Sequence, residues 1–332
     1  MMMSDSLVKI ENVKAYYMLK DKYVKAVDNV SFEIKENEVI GVVGESGCGK
    51  STLSNILMMN IIKPLTLIDG KILFKVGNDY KEISSMEREQ VKKEFWGKKI
   101  ALIPQAAMNA LMPTIKIEKY IEHLADAHNI PKKEFLKKAK ERFEKVDLDP
   151  MWLKRFPFEL SGGMKQRAVI AIATLLDPDL LIADEPTSAL DVVNQKMFLK
   201  ILMEMKRQGI VKSIIFVTHD IATIRQIADR MLVMYAGKIM EFSPIDQIVE
   251  KPLNPYTQGL LNSVLTPEPE IKKRGISTIP GAPPNLIEPP KGCRFHPRCP
   301  HAMDICREKE PQFKEIEHGR KVACFLYSEE RA

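Results

Sequence analysis

The sequence predicts an α/β protein built on a mostly parallel sheet, and two observations carry that expectation. Three short, almost wholly apolar runs, VIGVV (Val39–Val43), LLIA (Leu180–Ala183) and SIIFV (Ser213–Val217), are separated by longer segments of largely helical periodicity. Strands covered by helices on both faces have this continuous apolar character. In addition, a glycine-rich segment, GESGCGKST (Gly44–Thr52), lies between the first run and the helical stretch LSNILMM. A tight passage from strand to helix needs residues without a Cβ.

Taken in order, Val8–Tyr17 and Asn29–Ile34 alternate apolar and polar residues as half-buried strands do. Lys71–Val76 and Ile100–Ile103 are further short strands. From about Glu87 to Leu160 the pattern is mainly helical, and Phe135, Ala139, Phe143 and Val146 form one apolar stripe on a lysine-rich helix. A long apolar helix follows Ser161, another runs from about Val192 to Arg207, and MLVMYAGKIM (Met231–Met240) is a closing hairpin with methionines as core filler. Twelve of the 21 prolines lie between Pro252 and Pro311, so this stretch is expected to be loop-rich with little helix or sheet. No internal repeat is visible.

A length of 332 residues fits one large or two modest domains. The charge, 50 − 44 = +6, favours nucleotide phosphates, anionic lipid or nucleic acid without choosing among them. The start of the chain carries charge throughout, which does not indicate export. The apolar run Ala168–Leu176 has nine residues, where a membrane span needs about twenty. Work at a membrane would therefore be done from the side. An unsecreted chain meets reduced thiols, which argues against stable disulfides among its five cysteines.

The segment Gly44–Thr52 has the P-loop pattern G-x-x-x-x-G-K-[ST] in the strand-to-helix context that gives the pattern meaning. Gly44, Glu45, Ser46, Gly47, Cys48 and Gly49 would turn backbone N–H groups around ATP phosphates, with Thr52 in the first helical turn. Lys50 would reach the β- and γ-phosphates and Ser51 would ligate Mg²⁺. Cys48 is read as a small side chain in a loop that works through its backbone, in preference to a redox-sensitive thiol. In LLIADEP, Asp184 would hold Mg²⁺ through water and Glu185 would polarise an attacking water. ELSGGMKQR (Glu159–Arg167) opens a helix with Ser161, Gly162 and Gly163, a second anion-binding helix end. Alone, it would be an ordinary serine cap with glycines for close packing.

From Leu7 to about Glu250 the sequence resembles the ATP-binding subunits of ABC transporters, with their motifs in order. The resemblance implies an ABC-type nucleotide-binding domain: a P-loop parallel core, an antiparallel β subdomain and a helical subdomain. It places the ATPase domain at 1–250, the helical subdomain at about 87–176 and a proline-rich extension at 251–332. It also implies that Tyr17 stacks on adenine, with Tyr16 as the other register, that Gln105 contacts ATP and Mg²⁺, and that His219 senses the γ-phosphate. Ser161, Gly162, Gly163 and Asp191 of SALD (Ser188–Asp191) would close over ATP held by another subunit.

ADEPTSALDVVNQ, VMYAGKIME, NPYTQGLLNSV and the tail from IPGAPPNL to the cysteines are similar to the dipeptide/oligopeptide/nickel importer branch. That likeness implies a chain peripheral to the cytoplasmic face of the membrane. Its expected partners are a second, similar ATPase or another copy, two permeases and an extracytoplasmic solute-binding protein. Oligosaccharide or nickel import is the alternative within the branch. A soluble ABC ATPase acting on nucleic acid is the rival class, for which Pro131–Lys145 would be a phosphate-tracking patch. Its acids and apolar stripe favour a solvated helix face, and no nucleic-acid partner is expected.

Four cysteines fall in the last forty residues, at Cys293, Cys299, Cys306 and Cys324. Their spacings, C-x5-C, C-x6-C and C-x17-C, match neither the tight pairs of structural zinc sites nor the common ferredoxin patterns. Spacing alone leaves the occupant open, including zinc with His296, His301 or His318 as substitute ligands. The family resemblance implies a [4Fe-4S] cluster on the four thiolates.

Overall fold

A computed structural model describes residues 6–105, 107, 110–188, 190–263, 279–317 and 319–329. The chain divides into two compact units, one made of the residues up to Ser85 with those from Phe216 onward, the other of Met86–Ile215.

The first unit begins with β1 (Ser6–Leu19), β2 (Lys22–Lys35), β3 (Val39–Val43), α1 (Lys50–Leu57), β4 (Leu65–Val76) and β5 (Asp79–Glu82). Four of these strands form an antiparallel sheet in the order β2-β1-β4-β5. The alternation in β1 buries Val8, Ile10, Val13 and Ala15, with register irregularities on either side of Val13. β3 is buried along its whole length. Two differences from the sequence reading have a simple cause. β5, the charged stretch DYKE, and the first residues of β4 are mostly not buried, so apolar periodicity does not mark them.

The second unit holds α2 (Arg88–Glu94), β6 (Ile100–Ile103), α3 (Ile117–Ala127), α4 (Lys132–Lys145), α5 (Gly162–Ala173), β7 (Leu180–Asp184), α6 (Val192–Arg207) and most of β8 (Ser213–Val217). β6 and β7 pair in parallel from Ile100↔Leu180 to Ile103↔Ala183. On α4, Phe135, Ala139 and Phe143, with Val146 after it, are at most 2% exposed, which is the predicted stripe. Beside the stripe, the buried Arg142 and the more exposed Lys138 both reach Asp177 at 2.5 Å, and Lys132 reaches Asp126 at 2.9 Å. Cations engaged with carboxylates fit a solvated helix face better than a phosphate-tracking patch.

The chain returns to the first unit with α7 (Ile221–Ile227), β9 (Arg230–Tyr235), β10 (Lys238–Pro244), α8 (Ile245–Glu250) and α9 (Pro255–Ser263). β3 and β9 are parallel, and β9 and β10 form the expected hairpin, with Met231, Met234 and Met240 buried. α10 (Asp304–Glu308), β11 (Phe313–Glu317) and β12 (Arg320–Ala323) complete the fold.

The tail therefore carries more regular structure than its prolines suggest. Pro255 opens α9, where its missing N–H costs nothing, and β11 and β12 contain no proline. β12 pairs with β10 and extends its sheet. The buried carboxylate of Glu241 accepts from the N–H groups of Leu253 and Asn254, both at 2.9 Å, and Asn254 donates to the Ala323 carbonyl at 3.0 Å. Phe295 packs edge-on against Tyr235 and Tyr256, each at 5.2 Å. The tail thus buries Tyr256, Phe295 and Phe325, with Tyr256 and Phe295 packed against Tyr235 of β9.

Candidate functional site

The candidate residues are distributed over both units. Tyr17, the loop Gly44–Thr52 and His219 belong to the first; Gln105, Ser161, Gly162, Gly163, Asp184, Glu185 and Asp191 belong to the second.

β3 ends at Val43 and α1 begins at Lys50, so the glycine-rich segment fills the turn between them. Gly49 has φ +108°, and a Cβ there would stand 2.0 Å from the Ala26 carbonyl oxygen, so both conformation and packing require glycine. As N-cap of α1 it offers no side-chain acceptor, which leaves first-turn N–H groups available to an anion at the positive end of the helix. The Lys50 ammonium folds back over the loop and donates to the carbonyls of Gly44 at 2.7 Å and Glu45 at 3.1 Å. Ser46, Gly47 and Ser51 are exposed along the same turn. Burial raises the Cys48 thiol above its ordinary value, with Lys50 opposing only in part. A thiol held protonated is a poor redox sensor, which agrees with the packing role.

The two tyrosines separate clearly. Tyr17 shares a hydrogen bond with the Thr52 hydroxyl at 3.1 Å, beside the loop, whereas Tyr16 donates to Asp28 at 2.6 Å. Asp28 is in turn paired with the buried Arg294. Successive residues of a strand point to opposite faces, so only one of the pair can serve the loop.

In the second unit, β7 ends on the buried Asp184, and Glu185 follows at φ +43°. A non-glycine residue in the left-handed region carries backbone strain of the kind found at functional sites. The Ser188 hydroxyl donates to the Glu185 carbonyl at 3.1 Å. Ser161 caps α5 by accepting from the Met164 N–H at 3.4 Å. A Cβ on Gly163 would lie 2.8 Å from Asn194 Oδ1, and Asn194 is held by Asp191, which accepts from its N–H at 2.9 Å and from its amide at 2.7 Å. The buried Gln166, which sequence reasoning did not single out, donates to the Pro186 carbonyl at 3.1 Å. The glycine pair, the acidic strand end and the Asp191 loop are thereby joined. Ser161, Gly162 and Asp191 are exposed, as are Val192 and Val193 at 65% and 77%.

Gln105 follows β6 and is exposed, while Ala106, Met108, Asn109 and Ala189 lie outside the described residues. His219, also exposed, stands between β8 and α7, whose N-cap is Asp220.

Cys293, Cys299, Cys306 and Cys324 line one small cavity of about 20 Å³, together with His296 and His301. Burial pushes the Cys293 thiol up to about 12 and the Cys324 thiol up to about 11, and neighbouring thiols add to both rises. Among the described residues, no group of three or more His, Cys, Asp or Glu forms a ready metal-binding set. His318 lies outside them. The donor set fits a thiophilic metal centre in kind, since four cysteines line one cavity, but they do not form a finished ligand cage.

Two family descriptions match the chain: "ABC transporter" over residues 27–188, and "Oligopeptide/dipeptide transporter, C-terminal region" over 240–306. The dipeptide transport ATP-binding protein DppD of Caldanaerobacter subterraneus subsp. tengcongensis is 41% identical over 98% of both chains. The oligopeptide transport ATP-binding protein OppD of Escherichia coli is 38% identical over 98% of this chain and 95% of its own. The fold is similar to that of the ATP-binding cassette MJ0796 in a dimeric post-hydrolysis state bound to ADP and Pi, with TM-score 0.61, 26% identity, and coverage of 72% of this chain and 98% of that one. With likeness running through both the cassette and the extension, the chain belongs to the ATP-binding proteins of ABC transporters, in the branch with the oligopeptide/dipeptide transporter C-terminal region.

Proposed function

We propose that this chain hydrolyses ATP to energise import of dipeptides or oligopeptides through a membrane ABC transporter. The observation that carries the reading is full-length likeness to peptide transport ATP-binding proteins, with the extension included. The chain works with a second ATPase subunit, two permeases and an extracytoplasmic solute-binding protein. Among the described residues, no helix is long and apolar enough to cross a membrane. We place the chain at the cytoplasmic face, held by its permeases. An apolar groove of about 690 Å³ in the second unit, lined by Trp96, Leu102, Leu124, His128, Phe135 and Leu176, supports a contact with a permease segment there.

Within the cycle, Gly44–Gly49 and Thr52 cradle the phosphates and Lys50 contacts the β- and γ-phosphates. Ser51, Gln105 and Asp184 serve Mg²⁺, Glu185 polarises the attacking water, and His219 contacts the γ-phosphate. Ser161, Gly162, Gly163 and Asp191 act on ATP held by the partner ATPase. The exposed Val192 and Val193 beside Asp191 support a face that a partner covers. The test is co-purification: the tagged chain should retain two permeases in detergent. Retention of nucleic acid in a salt-sensitive manner, with no permease, would favour the rival class.

Adenine stacks on Tyr17. An aromatic face matters more than its hydroxyl, so Tyr17→Phe is mild while Tyr17→Ala weakens ATP binding by about 1–3 kcal/mol, as for base stacking elsewhere. Titration with ATP checks this, and damage from Tyr16→Ala alone would shift the assignment by one residue.

The four tail cysteines hold a [4Fe-4S] cluster, with zinc as the alternative occupant. Support comes from their common cavity and from the thiolate chemistry such clusters require. Bound there, a cluster would supply covalent cross-links to a tail rich in loops. Protein purified without oxygen should be brown, with iron and sulfide near about four each per chain. Colourless anaerobic protein with stoichiometric zinc would instead assign zinc.

A further inference from the structure

Glu45, the second residue of the P-loop, is gripped from the tail at two points. Its carboxylate receives a two-pronged contact from the Arg298 guanidinium, at 2.7 Å and 2.9 Å. Its backbone N–H donates to the hydroxyl of Tyr256, at 2.9 Å. Neither partner is a flexible surface group, since Arg298 is 8% exposed and Tyr256 fully buried.

Arg298 is also fixed from its other side. It donates to the carbonyls of Pro280 at 2.7 Å and Gly281 at 3.2 Å, and to the Tyr235 hydroxyl at 3.3 Å. Five contacts therefore engage the guanidinium fork, a geometry that an ammonium cannot reproduce. Tyr235, Tyr256 and Phe295 form one aromatic cluster beneath it, with Tyr235 and Tyr256 4.5 Å apart. The loop is braced again where the Gly237 N–H donates to the Cys48 carbonyl, at 2.8 Å.

We infer that Arg298 is a positioning residue for nucleotide binding, acting through Glu45. It sets the loop in two ways. The fork fixes the side chain of a residue whose own carbonyl anchors Lys50. It also neutralises a carboxylate that would otherwise stand as a bare negative charge in a loop built to receive phosphates. Removing the guanidinium leaves Glu45 charged and unclamped, so the loss falls on nucleotide affinity. Arg298 directly precedes Cys299, which lines the thiol cavity, so the brace and the cavity share one segment. The inference holds whatever the four thiols bind.

The test is titration of the full-length chain with the fluorescent nucleotide mant-ATP and Mg²⁺, alongside melting temperature. Arg298→Gln should weaken binding about 10-fold, and Arg298→Lys, which keeps the charge and loses the fork, by a smaller factor. Glu45→Gln, which removes the charge but keeps one acceptor for the fork, should weaken binding less than Arg298→Gln does. The double variant Arg298→Gln with Glu45→Gln should recover most of the loss, because the unpaired charge is gone. A merely structural arginine would lower the melting temperature of Arg298→Gln while leaving its affinity within about twofold of wild type, and that result would overturn the inference. So would a double variant as weak as Arg298→Gln with Arg298→Lys unimpaired. Should Arg298→Gln fail to fold, Arg298→Lys carries the same decision: weakened binding supports the inference, and wild-type binding ends it.

Discussion

Glu185→Gln lowers ATP turnover by about 10²–10⁴-fold, the contribution of a positioned general base, and leaves ATP binding in place. The amide keeps the size of the carboxylate and removes its ability to draw a proton from water. Glu185 directly follows the buried end of β7 at φ +43°, with its carbonyl held by Ser188, so the backbone that aims the side chain survives the change. Unhydrolysed ATP should then persist in a nucleotide-sandwiched dimer with another copy or the partner ATPase. Single-turnover hydrolysis and the nucleotide retained on size exclusion measure both effects. Turnover at the wild-type rate would remove the assigned role. Lys50→Ala should instead lose nucleotide binding itself, since Lys50 is buried within the loop.

Ser161→Arg abolishes ATP-driven dimer closure and lowers turnover in the assembled transporter by about 10²-fold or more, the scale of losing aligned donors around a developing charge. Ser161 is exposed and caps α5 through a single 3.4 Å hydrogen bond, so the fold loses only about 1 kcal/mol with the cap. Nucleotide binding by the isolated subunit should be nearly unchanged, which separates an effect on the partner's ATP from local damage. Equal activity of wild-type and variant subunits in the transporter would contradict the trans role. In a heterodimer, one variant site can leave partial transport.

Much of this was legible where the chemistry is local in sequence. β3, β6, β8 and α6 have the expected bounds. The strands are short runs with every neighbour apolar or covered, and α6 starts at an aspartate cap and ends in Lys206 and Arg207. The loop Gly44–Thr52 is a continuous stretch whose spacing marks it alone, whereas the acids Asp184 and Glu185 and the Ser161 helix cap are continuous stretches that gain meaning only from following it. What stayed hidden depends on distant partners. β11 and β12 are short and partly charged, and they become strands by joining β10. The Arg298–Glu45 pair joins residues 253 apart, and no periodicity announces it. Sequence could count the tail cysteines but not show that all four line one cavity.

ATP hydrolysis by this chain is proposed to drive peptide import. Its most direct test is uptake of a labelled oligopeptide by proteoliposomes containing the chain, its partner ATPase and both permeases, with the solute-binding protein outside and ATP within. Uptake should require ATP, should not be supported by ADP, and should be abolished or sharply reduced by Glu185→Gln. ATP hydrolysis that proceeds without peptide uptake, while an oligosaccharide or nickel is accumulated under the same conditions, would contradict it.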